Sequence, residues 1–322
     1  MLKFIGKRLL TMIPVVLGIS FLIFTMMSFT PGDPAVLALG TTASEEALNE
    51  WRNERDLNDP FLVRYVKFWG NVFRGNLGKS YRTNRPVAEE IADRIPQTLI
   101  LATGATALMV IFGIPIGIIS AVKQYTIVDA VSMLGALLLT SIPAFWLGLM
   151  LMLLFSLQLN WLPATGTETW KNFILPCVTL SAAVMASLLR MTRSNMLEVI
   201  RQDYIRTARS KGATERSIVF KHALRNALLP VITIVGLNYA GMFGGALITE
   251  TVFAIPGLGS LLVSSVRMKD TPVVMVCVML IALIIGMMNL LVDVLYVFID
   301  PRLKTQMIRS DMRVKAHGKT ES

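Results

Sequence analysis

The segment Phe73-Arg-Gly-Asn-Leu-Gly78-Lys79-Ser80 ends in the Gly-Lys-Ser of a phosphate-binding loop, in which backbone N–H groups and a lysine cradle phosphates. Phe73 stands where the first glycine of such a loop belongs, and no strand pattern precedes it. A turn that ends an amphipathic helix is the plainer reading. Intramembrane proteolysis would need a serine with a histidine, or paired aspartates, at membrane depth. The two histidines, His222 and His317, lie in polar segments, and Glu250 and Asp293 lie in different apolar stretches near opposite ends. Acids in such stretches are functional suspects by default, but polar contacts between helices or near helix ends account for this pair more simply. Cys177 and Cys277 also fall in apolar runs, without metal-ligand spacing and without an expected disulfide.

The most informative segment is Asp203-Tyr-Ile-Arg-Thr-Ala-Arg-Ser-Lys-Gly212, which leads on to His222-Ala-Leu-Arg-Asn-Ala-Leu-Leu-Pro230. Its chemistry is that of docking. The pattern predicts a short helix, a turn at Gly212 in the left-handed position that follows a helix end, and a second helix entering the next apolar run. Tyr204, Ala208 and Lys211 share one face, and Ile205, Arg209 and Gly212 lie near another. Small Ala208 beside a glycine break permits close approach by a partner, and the arginines can pair with carboxylates. On charge alone, a basic loop that sets orientation and touches anionic lipid is the plainer explanation.

The elements that position this segment follow from composition. Of 322 residues, 54% are hydrophobic and 16% charged, whereas soluble domains average roughly 25% charged. The net charge of +10 does not indicate nucleic-acid binding, because the charge is interleaved with long apolar runs. A spanning helix needs roughly 20 apolar residues, and six stretches qualify: 9–29, 98–122, 130–157, 174–191, 228–253 and 273–299. The first is too long for a signal-peptide core and lacks a small-residue cleavage site, so it reads as a retained helix. Residues 190–225 carry nine basic and three acidic side chains, and residues 300–322 carry six and three. Lys3, Lys7, Arg8 and Lys123 fall on the same side, so the positive-inside rule puts both termini in the cytoplasm. The expected fold is an all-α membrane protein of six transmembrane helices.

Residues 30–95 form the only sizeable water-facing block, with nine basic and ten acidic side chains. Thr42 with Glu45 suggests a capping box opening a helix to about residue 56. Asp59-Pro60 suggests an N-cap followed by proline at the first helical position, opening a helix with Phe61, Tyr65, Phe68 and Val72 on one face. Pro14, Pro115 and Pro143 punctuate the membrane helices, where neighbours can re-satisfy the freed carbonyls. Gly113-x-x-x-Gly117 and Gly241-x-x-x-Gly245 suggest close helix contacts.

Read together, these motifs resemble permease subunits of ATP-binding-cassette (ABC) importers. Arg206-Thr207-Ala208-x-x-x-Gly212 and the later Leu229-Pro230 depart from the general Glu-Ala-Ala-x-x-x-Gly form, and both departures are similar to the dipeptide, oligopeptide and nickel branch. Pro31-Gly-Asp-Pro34, Leu57-x-Asp-Pro60, Gly75-Asn-Leu-Gly78-x-Ser80, Arg190-Met-Thr-Arg-Ser-x-Met-Leu-Glu-Val199, Thr249-Glu-Thr-Val-Phe253, Pro256-Gly-Leu-Gly259 and Val292-Asp-Val-Leu-Tyr296 with Ile299-Asp-Pro-Arg302 extend the resemblance over nearly the whole chain. It implies a type I importer permease of the bacterial or archaeal inner membrane. That divides the chain into a first helix (1–29), an extracytoplasmic helical segment (30–95), a five-helix core (96–300) with a coupling loop (192–227), and a basic tail (301–322). The implied partners are a second homologous permease, two ATP-binding subunits and an extracytoplasmic solute-binding protein. The chain itself would be non-catalytic, with ATP and Mg2+ held by the ATP-binding subunits. Asp203, Tyr204, Ile205, Arg206, Thr207, Ala208, Arg209, Lys211 and Gly212 would form the element that docks on an ATPase. Asn76, Leu77 and Gly78 are candidates for contact with the binding protein, although lid packing explains the outer segment as well. Di- or oligopeptides are the expected solute, with nickel, glutathione or another small solute as alternatives. A stand-alone secondary transporter is a more distant possibility, since neither inverted-repeat hydropathy nor several membrane-embedded charges are visible.

Overall fold

The computed structural model describes residues 2–299, less the side chains of 2–4, 229 and 296–299, so the expected basic tail lies outside the described residues. Helices make up nearly all of it, and the one ladder contact among the described residues is an isolated bridge between Lys79 and Pro86. Five helices are long and apolar enough to cross a membrane: α1 (Leu2–Phe29), α5 (Val87–Val122), α8 (Ile174–Ile200), α11 (Leu224–Val252) and α13 (Thr271–Ile299). Helix α6 (Ile127–Ser141) and α7 (Ala144–Leu151), the latter continuing in wider π turns to Gln158, supply a sixth if the pair counts as one span.

That pair breaks the expected span at 130–157. The chain bends by 103° between its halves. Ile142 is extended, at φ −85° and ψ 125°, because the ring of Pro143 disfavours helical backbone in the residue before it. By contrast, Pro14, Pro96, Pro115 and Pro230 all lie inside helices. Two other helices are longer than hydropathy indicated. Helix α5 starts at Val87, so the expected boundary at residue 95 falls inside it, and α8 runs through Arg190 and Arg193 to Ile200. Apolar content marks only the membrane-depth part of a helix, and both continue as polar turns beyond it.

The centre of the bundle is the packing of α5 on α8. A Cβ added at Gly117 would lie 2.7 Å from the Leu189 carbonyl oxygen, and one at Gly113 would lie 3.1 Å from that of Met185. These glycines therefore set the approach of the two backbones. Gly241 does not behave this way, since nothing lies within 4 Å of a Cβ there. At one end of the bundle, Ala121 of α5, Met196 of α8 and Ala223 join a buried cluster with Ile205. At the other end, Val87 and Ile91 of α5 pack with Leu258 and Leu261 of α12 (Leu258–Arg267) and with Val273 of α13.

The outer segment holds α2 (Pro34–Leu39), α3 (Glu45–Glu54) and α4 (Phe61–Phe73). Its helix starts differ from the expected ones. Ser44, not Thr42, caps α3 by accepting the Ala47 N–H, and Pro60, not Asp59, is the cap position of α4. Asp59 accepts from Lys67 instead, at 2.6 Å. Phe61 and Tyr65 of α4 pack edge-on and tilted against Phe21 and Phe24 of α1, and Tyr65 shares a 2.8 Å hydrogen bond with Ser20. Phe68 reaches the cluster around Val87.

The loop before α13 clamps the segment to the core. Buried Lys269 donates to the carbonyls of Thr30 and Gly32, and buried Asp270 accepts from the Ser80 hydroxyl and, at 3.0 Å, from the Tyr81 N–H. Burial pushes the Asp270 carboxyl above its ordinary range despite these donors, and it pulls the Lys269 ammonium down against the charge of Asp33. These contacts tie the outer segment to the bundle end.

Candidate functional site: the short helix at 203–210

Helix α9 (Asp203–Ser210) crosses the bundle end between α8 and the turns leading into α11. It has one strong apolar residue, Ile205, and that side chain is 0% exposed, seated among Met196, Ile218 and Val219. Fixing one anchor holds the helix against the bundle and leaves its other faces outward: Tyr204, Arg206, Thr207 and Arg209 are exposed and Ala208 is half-buried. Ile205 is therefore the buried support of the element, while its neighbours face outward.

Both ends of α9 are tied down. Gly212 has φ +82°, its N–H donates to the Arg209 carbonyl at 2.9 Å, and the Ala213 N–H reaches the Ala208 carbonyl at 3.1 Å. A left-handed glycine after a helix end supports this closure at no steric cost. Thr214 then caps α10 (Glu215–Ser217), which passes through wider turns at Ile218–Ala223 into α11. Arg209 makes a two-point ion pair with Glu215 at 2.8 and 3.2 Å, and this pair holds the Glu215 carboxyl below its ordinary range. Asn226 donates to the Tyr204 hydroxyl at 2.8 Å. Arg209 is already partnered, so Arg206 and Lys211 are the exposed cations of the element with no ion pair among the described residues.

The helices behind α9 are joined by a charge pair that sequence reasoning missed. Asp129 at the start of α6 is 5% exposed and accepts from Arg193 of α8 through Nε and Nη2, at 2.7 and 2.8 Å. Ser120 and the Tyr125 N–H complete its shell at 2.6 and 3.0 Å. The available signal was a lone acid opening an apolar run. Together with the cluster around Ile205, this pair links α9 through α8 to α5 and α6.

The remaining sequence candidates are placed elsewhere. Asn76 is exposed and its Oδ1 accepts the Gly78 N–H at 2.9 Å, Leu77 packs inward on the cluster of Val87, and Gly78 lies against Pro272. The Gly-Lys-Ser turn is therefore no phosphate cradle, since the Ser80 hydroxyl also accepts from the N–H groups of Arg82 and Thr83 at 3.2 and 3.1 Å. Glu250 is fully buried, accepting from the Thr98 hydroxyl at 2.6 Å and the Ser260 N–H at 2.9 Å, which fixes the turn between α11 and α12. Asp293 pairs with Arg8 at 2.8 Å, joining α13 to α1. His222 sits in the turns before α11, where its carbonyl accepts from Asn226. Both cysteines are buried and free.

Comparison with known proteins agrees with this architecture. Residues 113–305 match a family described as "Binding-protein-dependent transport system inner membrane component", and residues 1–102 match that described as "Binding-prot-dependent transport system membrane comp, N-term". The glutathione transport system permease protein GsiC of Pectobacterium atrosepticum is 44% identical over 304 residues, covering 94% of this chain and 99% of that protein. Its counterpart in Escherichia coli K12 is 42% identical with the same coverage. Among solved structures, inward-facing MetNI methionine ABC transporter matches with a TM-score of 0.52 at 18% identity, covering 65% of this chain and 96% of that one. An amino acid ABC transporter solved with histidines matches with a TM-score of 0.51 at 16% identity, covering 67% and 94%.

Proposed function

This chain belongs to the binding-protein-dependent transport system inner membrane components, and from that membership we propose that it is one of two permease subunits of an importer for short peptides, glutathione among them. Importers of this kind work with ATP-binding subunits and a solute-binding protein. The partner permease is a homologue, so that the membrane unit is a heterodimer, and this chain carries no catalysis of its own. ATP and Mg2+ bind to the ATP-binding subunits. The nine basic against three acidic side chains in 190–225 favour a cytoplasmic position for the α9 end, and so for both termini. The outer segment then faces the binding protein, with exposed Asn76 at the contact and Leu77 and Gly78 supporting it.

The single observation that carries the coupling assignment is the form of α9: one buried anchor, a glycine-closed end, and an outward face of small and cationic residues. A short rigid helix transmits a push better than a loop, and the exposed Arg206 and Lys211 suit a carboxylate-bearing groove. The peptide assignment is supported by similarity to glutathione permeases along 99% of their length. Uptake of labelled glutathione and of a labelled dipeptide, measured in cells with and without this chain, tests it. The expected result is loss of at least about tenfold in the uptake of one or both, restored by returning the chain. Unchanged uptake of both solutes would overturn the peptide reading, while uptake that persists without ATP-binding subunits would overturn the importer reading itself.

A further inference from the structure

Between the outer helices and the membrane core lies a cavity of about 570 Å3, walled by α1, α4, the turn at 76–84 and the start of α13. Small-molecule pockets run from roughly 300 to 1,000 Å3. The charges that line it are unevenly matched. Its carboxylates are already engaged: Glu54 pairs with Arg55 at 2.9 Å and Asp56 with Lys67 at 2.7 Å. Arg64 and Lys79 also line it, and among the described residues neither has a carboxylate partner.

Arg64 is held in place by apolar and weak polar contacts. Its guanidinium lies 5.5 Å from the centre of the Phe24 ring, and Nη2 reaches the Ser28 hydroxyl only at 3.5 Å. Its Nε is buried with no acceptor. A carboxylate can accept from two guanidinium donors at once. Asn71, Asn84 and Tyr81 add amide and hydroxyl groups around the same space. Burial, helped by the charge of Asp270, pushes the Tyr81 phenol up to about 12.

We propose that this cavity is a solute site for a small molecule that carries a carboxylate and amide groups, a short-peptide anion, with Arg64 and Lys79 holding the carboxylate. The site lies at the end of the bundle of spanning helices, between it and the outer helices. It places solute beside the 76–78 turn, where the motif Asn76-Leu77-Gly78 forms part of the wall. The inference rests on the peptide reading above for the identity of the ligand, and not for the existence of the anion site.

The test is isothermal titration of the purified chain, with the subunits it retains, in lipid nanodiscs and without binding protein. The probes are glutathione, dialanine and succinate. Saturable binding of a peptide is expected, weakened about tenfold or more in Arg64→Gln and in Lys79→Gln, with Arg64→Lys intermediate because it keeps the charge and loses the fork. Thermal unfolding of each variant shows that the fold is retained. Binding that is absent for all three probes, or unchanged in folded Arg64→Gln, would overturn the site. Arg64-dependent binding of succinate alone would overturn the peptide assignment. Failure of the importer reading registers separately, as absence of co-purifying ATP-binding subunits.

Discussion

Replacing Gly212 with glutamate is expected to abolish ATP-driven uptake while the chain still inserts and accumulates in the membrane. Within the chain the change is mild. A Cβ at position 212 meets nothing within 4 Å, so the cost is that of a left-handed backbone for a residue with a side chain, roughly 1–2 kcal/mol. That is too little to empty the membrane of folded protein. The new carboxylate instead projects beside the outward face of α9, where the proposed ATP-binding subunit would dock. Gly212→Ala carries the same backbone cost without length or charge and should keep most of the uptake. Ala208→Glu, on the neighbouring turn, should behave as Gly212→Glu does. Uptake assays with immunoblots of membrane fractions separate loss of coupling from loss of protein. Normal uptake in both glutamate variants would remove the assignment.

Asp129→Ala is expected to have the largest effect on stability. It takes the acceptor away from two Arg193 donors, the Ser120 hydroxyl and the Tyr125 N–H at once. The Arg193 side chain is 21% exposed, so water replaces only part of the lost partner. Breaking a buried pair from one side costs about 3–5 kcal/mol, whereas removing both charges costs far less. The single variant should therefore unfold at a clearly lower temperature in detergent and accumulate poorly. The double variant Asp129→Ala with Arg193→Met should recover much of the loss. Equal melting temperatures for single variant and wild type would show that the pair does not hold α6 to α8.

The sequence was most legible where a local pattern has one physical meaning. Long apolar runs and the helix–glycine–helix pattern around Gly212 each gave the element that the structure has. Legibility failed where meaning depends on distance along the chain. Asp129 and Arg193 are 64 positions apart, and Ser80 and Asp270 are 190 apart. Neither partner announces the other in one sequence. Hydropathy also hid the polar ends of α5 and α8, because it records what lipid would contact and not where helical hydrogen bonding stops. The bend at Ile142–Pro143 shows a third kind of failure. Proline was visible, but Pro115 lies inside an unbroken helix and Pro143 opens a 103° bend, so packing around the residue decides the outcome. Within the docking segment, spacing placed Ile205 on a face with Arg209 and Gly212. A single strong apolar residue in a polar eight-residue helix is better read as its anchor, as the 0% exposure of Ile205 shows.

The coupling role of α9 is tested most directly by a photo-reactive amino acid placed at Thr207, which is exposed on that helix, with Val66 of the exposed outer segment as control. The assembled importer is irradiated in membranes and its adducts are identified by mass spectrometry. The account predicts an adduct between position 207 and an ATP-binding subunit, and none from position 66. An importer that retains its ATP-binding subunits but gives no such adduct from 207, or gives it equally from 66, would contradict it.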